Sequence, residues 1–133
     1  MIAVDTNVLL RYLLRDDEVQ AEKARHIFER GERVLITDVV LAETMWTLVG
    51  RRYRAVKADL VAVVDNLLQD PKVCFEDDDV VWKALQAYRK TDADFADALI
   101  VHKALKTVAI NDELDTVYTF DNAALQLPNT AEP

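Results

Sequence analysis

The sequence predicts an α/β fold: a mostly parallel central sheet flanked by helices on both faces, in one domain over residues 1–133. Three observations predict it. Short apolar runs rich in β-forming residues, at 2–4, 34–36, 73–75 and 117–120, alternate with longer segments whose apolar residues recur at helical spacing. Strands separated by helices imply right-handed crossovers and parallel pairing. Only two Gly and three Pro punctuate the 133 residues, which favours long helices and short connections over an all-β fold.

The first run, Ile2-Ala3-Val4, has no alternation, the pattern of a strand buried on both faces. Asp5-Thr6-Asn7 follows at once, so Asp5 stands at the carboxyl end of a strand, where open α/β sheets bind their ligands. Asp16-Asp17-Glu18 is an acidic helix start, and Val19, Ala21, Ala24, Ile27 and Phe28 carry that helix as far as Gly31, with His26 off the apolar stripe and facing solvent. After the second strand, Thr37-Asp38 supplies a helix cap. The helix over 39–49 is apolar nearly all round, with Glu43 as its only charge. Such a helix is expected to be buried, and a buried carboxylate needs a partner: an arginine, a metal ion or a reaction.

Arg51, Arg52, Arg54 and Lys57, with Tyr53 among them, form the densest basic patch of the chain. Bases there complement the dipole of the preceding helix, and they are also the chain's best candidates for phosphate contact. An amphipathic helix over 56–68 stops at Asp70-Pro71, and the third strand follows. Glu76-Asp77-Asp78-Asp79 precedes another amphipathic helix, where four acids read as a solvated N-terminus. In Thr91-Asp92-Ala93-Asp94-Phe95-Ala96-Asp97, Asp92 or Asp94 caps the next helix and Asp97 falls in its first turn. His102 further along reads as a packed or partly exposed side chain and not as a ligand. Residues 108–110 fit a strand or a helix extension equally. The last run ends on Asp121, repeating the strand-then-Asp pattern of the start, and Leu127-Pro128 begins a polar tail.

The formal charge is 16 − 24 = −8, which argues against a general nucleic-acid binder unless converging acids hold a cation. The lone Cys74 has no partner for an internal disulfide and reads as a core residue. No signal peptide or membrane-spanning run is recognisable, so a soluble, cytoplasmic protein is expected.

In a parallel sheet Asp5 and Asp121 stand at strand carboxyl ends, and Glu43 and Asp97 sit on helices that enter from the same edge. Carboxylates meeting in one cleft repel and hold protons more tightly unless a cation is present. Oxygen donors without a Cys or His cluster point to Mg²⁺ or Mn²⁺, ions that serve phosphoryl chemistry.

The segments Val-Asp-Thr-Asn-Val-Leu-Leu at 4–10, Glu43, Asp-Phe-Ala-Asp-Ala-Leu-Ile at 94–100 and Thr-Phe-Asp at 119–121 occur in this order. Through them the chain resembles the PIN-domain ribonucleases, and among these the VapC-type toxins of bacterial toxin–antitoxin pairs, over residues 1–128. The resemblance implies a single PIN-like domain and a Mg²⁺- or Mn²⁺-dependent endoribonuclease that hydrolyses RNA phosphodiester bonds with metal-activated water. It also implies a homodimer and a cognate VapB-like antitoxin whose C-terminal segment covers the cleft. By position it makes Asp5, Glu43, Asp97 and Asp121 an acidic quartet, with Asp5 and Asp97 the principal metal ligands and Asp94 a secondary acid. Thr6 and Asn7 would then orient Asp5, Thr119 would support the far side, and RNA contact would fall to Arg51, Arg52, Arg54 and Lys57. The 106–116 connection is longer than the family's usual one.

Two rival readings compete. A haloacid-dehalogenase-type phosphatase needs a second Asp two residues after the first, and this chain has Asn7 there. A non-catalytic acidic α/β module that binds a protein partner accounts for the charge, but it gives no reason for Glu43 in an apolar helix.

Overall fold

The computed structural model describes residues 1–108 and 116–133. Its contacts divide the chain into two compact units, Met1–Asp78 and Asp79–Pro133.

The first unit is built on three parallel strands, β1 (Ile2–Ala3), β2 (Val34–Ile36) and β3 (Val73–Phe75), in sheet order β1-β2-β3. The register pairs Ile2 with Val34 and Val34 in turn with Val73. Parallel neighbours need crossovers. α1 (Thr6–Leu14) and α2 (Glu18–Glu29) make the first, and α3 (Asp38–Val49) and α4 (Lys57–Gln69) the second. α1 packs on both α2 and α3. Leu9, Val34, Ile36, Leu41 and Val64 have no exposed surface, and Tyr12 stacks on Phe28 with ring centroids 3.9 Å apart. Cys74 is buried and unpaired, as expected of a small core residue.

The second unit contains α5 (Asp78–Lys90, which begins at the boundary residue), α6 (Phe95–Val108) and a two-stranded parallel sheet of β4 (Val117–Tyr118) and β5 (Thr130–Ala131). A short 3₁₀ turn, Ala124–Gln126, lies between those strands. Phe95 anchors this core, with its ring edge against Tyr88 at a centroid distance of 6.0 Å.

The predicted α/β class with parallel pairing is what the structure shows, with four corrections. Thr6–Leu14 is a helix that the sequence reading did not assign, because Val8-Leu9-Leu10 looked like a continuation of the apolar run. β1 is not buried on both faces: Ala3 is exposed and Ile2 only partly covered. Residues after Leu127-Pro128 are not a featureless tail, since Thr130–Ala131 pairs with β4. α3 is not buried all round: Val39 and Trp46 are about three-quarters exposed, so its apolar composition marks one covered face (Leu41, Met45, Leu48) and one open face. Of the 108–110 stretch, Val108 ends α6; the rest of it, and most of the 106–116 connection, lies outside the described residues. Among the described residues no helix is long and apolar enough to cross a membrane.

Candidate active site

β1, β2 and β3 are parallel, so their carboxyl ends share one edge of the sheet, and an acid follows each strand. Asp5 follows β1 and is exposed. It is the N-cap of α1: its Oδ1 accepts the Val8 amide at 3.0 Å. That bond leaves the second oxygen available and places a negative charge at the positive end of the helix. The group that orients Asp5 is therefore the Val8 amide, while Thr6 and Asn7 enter as the first residues of α1. Thr37 follows β2, caps α3 through the Val40 amide at 3.4 Å, and hands on to Asp38, which is only 8% exposed. The Asp38 amide donates to Glu76 Oε2 at 2.6 Å, so the acid after β3 reaches back to the start of α3.

Asp38 and Glu76 are two further acids at this sheet edge; Thr37-Asp38 caps α3 as its sequence indicates, and Glu76 is exposed ahead of α5. Glu76 directly follows an apolar triplet as Asp5 does, and Asp38 follows one after Thr37.

Asp5 also borders a cleft of about 320 Å³ between α1 and α2, with Asn7, Val8, Arg11, Lys23 and Ile27. Arg11 is held across that cleft by both oxygens of Asp16, at 2.8 and 3.0 Å, and by Gln20 at 2.8 Å. The Asp16 carboxyl is held below its ordinary range chiefly by that Arg11 contact. Asp16 additionally accepts from the Tyr53 hydroxyl at 3.2 Å and pairs with Arg52 at 3.5 Å, and Arg52 lies over the Tyr53 ring. The basic patch is thus partly structural: Arg52 faces an acid of its own chain, and Arg54, in a left-handed conformation (φ 50°), donates to the Arg51 carbonyl. Arg51 and Lys57 are exposed.

Glu43 sits mid-helix on α3 and is exposed. The sequence argument that a buried carboxylate demands a partner therefore does not apply to it. It shares the open face of α3 with Val39 and Trp46, three to four residues away on either side.

In the second unit Asp94 and Asp121 both act on Asp97. Asp94 caps α6, its Oδ1 accepting the Asp97 amide at 2.7 Å. Asp97, in the first turn and partly covered, has its carboxyl pushed up to about 6, first by burial and then by the charges of Asp94 and Asp121. Asp121 repeats the capping arrangement: its Oδ1 accepts the Ala124 amide at 2.9 Å, and its own amide donates to Thr119 Oγ1 at 3.0 Å. Thr119 therefore braces the backbone of Asp121. His102 lines a different cleft, of about 310 Å³, with Lys83 and Lys106, and burial lowers its pKa. Among the described residues no three His, Cys, Asp or Glu side chains already converge closely enough to enclose a metal ion.

The donors suit a hard divalent cation in kind, being carboxylate oxygens with one member driven to hold its proton by burial and by its charged neighbours.

Comparison with known proteins adds the lineage. A VapC ribonuclease of Aquifex aeolicus (strain VF5) is 29% identical over 110 residues, covering 80% of each chain. No solved structure gives a significant match. The family model for the PIN domain matches residues 2–129, and the chain belongs to the PIN domain family.

Proposed function

We propose that this chain is a metal-dependent endoribonuclease and the toxin of a toxin–antitoxin pair, acting as one domain over residues 1–133. The observation that carries the reading is the group formed by Asp94, Asp97 and Asp121, in which burial first, and then the charges of Asp94 and Asp121, lift Asp97 to about 6. Its support is membership of the PIN family and the likeness to a VapC ribonuclease. A site that penalises its own negative charge gains free energy when it binds a cation.

In this reading Asp5 and Asp97 hold a Mg²⁺ or Mn²⁺ ion, Glu43 and Asp121 complete its surroundings, and Asp94 contributes as a secondary acid. When bound, the ion supplies a nucleophile from water at neutral pH and polarises the phosphate. The chain's own work is orientation. Asp5, Asp94 and Asp121 each spend one oxygen on an amide three residues ahead, which fixes the direction of the other. Thr119 holds the backbone of Asp121. Thr6 and Asn7 flank Asp5 at the head of α1, and RNA contact falls to Arg51, Arg54 and Lys57, with Arg52 shared with Asp16. A cytoplasmic homodimer, held inactive by a VapB-like antitoxin over the cleft, completes the proposal.

The deciding experiment is cleavage of total cellular RNA by the purified chain in EDTA, in Mg²⁺ and in Mn²⁺, beside Asp5→Asn. Cleavage that needs the ion and vanishes in the variant supports the nuclease. Cleavage that persists in the variant, or absence of cleavage by the folded chain in every condition, refutes this assignment and leaves the acidic protein-binding module.

A further inference from the structure

We infer that Phe120 is a stacking platform for an unpaired base of the RNA substrate, beside the carboxylate of Asp121. The inference rests on the nuclease reading and adds to it the residue that grips the substrate. Phe120 is 82% exposed, the most exposed of the large apolar side chains among the described residues. Tyr118, the last residue of β4 and two residues earlier, is 66% exposed.

Single exposed apolar residues are ordinary on protein surfaces. What sets this ring apart is how firmly its backbone is held. The Thr119 amide donates to the Ala131 carbonyl at 3.0 Å, continuing the β4–β5 ladder past its last paired residue. The Asp121 amide is tied to Thr119 Oγ1, and its carboxylate to the Ala124 amide. Phe120 is clamped from both sides, so its ring is presented without the ordering cost a mobile loop would carry on binding.

Charge decides what it is presented to. The carboxylate of Asp121 lies one residue away, held by the Ala124 amide, so the immediate surroundings of the ring are acidic. A polyanionic backbone gains little attraction in such surroundings. The uncharged face of a base is the part of RNA that an acidic site can hold, and stacking on an aromatic ring is indifferent to base identity. Bases inside a duplex are already stacked, which makes the preferred substrate single-stranded.

The test measures binding of a fluorescein-labelled, mixed-sequence single-stranded oligoribonucleotide in Mn²⁺, on the Asp5→Asn background, with Phe120, Phe120→Leu and Phe120→Tyr compared. Leucine keeps an apolar side chain and removes the aromatic face. The expected result is a Kd on the order of tenfold higher for Phe120→Leu, restored by Phe120→Tyr, with an unchanged salt slope. Equal affinity for all three overturns the inference, as does a wild-type ring that binds a duplex as well as the single strand. A shift from dimer to monomer in Phe120→Leu by light scattering, with RNA affinity unaltered, also overturns it and gives the ring to an interface between copies. The nuclease reading is judged separately, by metal-dependent cleavage with Asp5 restored.

Discussion

The Asp94 carboxylate accepts the Asp97 amide at 2.7 Å, so the residue that starts α6 also sets its charge against the Asp97 carboxyl. A helix cap and an electrostatic perturbation are here the same contact. Asp94→Asn separates them, because asparagine caps as well as aspartate but carries no charge. The variant is expected to keep α6 intact and to lower the titration of Asp97 part of the way toward the ordinary aspartate range. Burial, the largest cause of the shift, would remain. Carboxyl-resolved NMR titration of the metal-free protein checks this.

The raised Asp97 pKa has a definite sign for stability. The folded state holds this proton up to about pH 6, whereas the unfolded chain releases it near the ordinary aspartate value of 3.8. The folded state therefore binds more protons across that window, and this group's contribution to stability falls as pH rises through it. Melting temperatures in EDTA from pH 4 to 7, compared between the parent and Asp97→Asn, should diverge in that direction. A divalent ion competes for the same oxygen, so its affinity is expected to weaken as pH falls below about 6. Titration calorimetry with Mn²⁺ at two pH values reads this out.

Asp5 has two roles that different substitutions resolve. Asp5→Ala loses the bond to the Val8 amide and is expected to cost about 1 kcal/mol of stability as well as activity. Asp5→Asn should unfold at nearly the parent's denaturant midpoint and still fail to cleave RNA. A large stability loss in Asp5→Asn would show that the charge, not the cap, holds the start of α1.

Leu41 is fully buried on the covered face of α3, two residues before exposed Glu43. Leu41→Ala is expected to destabilise the chain by roughly 2–5 kcal/mol through cavity formation, measured by denaturant unfolding. Glu43→Gln, on the open face, should leave the midpoint nearly unchanged and act on cleavage alone.

Within the basic patch, Arg52 and Arg51 should behave differently. Arg52 is engaged with Asp16 and the Tyr53 ring, so Arg52→Ala is expected to loosen the α3–α4 connection and lower the denaturant midpoint slightly. Exposed Arg51 should act on RNA instead, with Arg51→Ala reducing the salt slope of binding by about one charge. Identical salt slopes for Arg51→Ala and the parent would remove Arg51 from the RNA surface.

The strand-then-acid pattern at Asp5 and Asp121 was legible because strand ends and polar punctuation are local properties of sequence. Asp94 as a cap was legible for the same reason. Glu43 shows where the reasoning stops: an apolar helix reads alike whether its second face is buried or open, and only tertiary contacts reveal that Trp46 and Val39 are uncovered. β5 was invisible because two residues, Thr130 and Ala131, carry no periodicity and depend on β4 to become a strand. The cap at Thr37-Asp38 was legible, but the sequence does not disclose that Thr37 caps while Asp38 is buried.

Three of the acids discussed above, Asp5, Asp94 and Asp121, each accept the amide three residues ahead through a bond that asparagine can also make. Aspartate and asparagine codons differ by a single base. At each of these positions a single base change therefore removes a charge while leaving the cap in place. If the proposed nuclease function holds, inactive copies that still fold should arise readily by such changes.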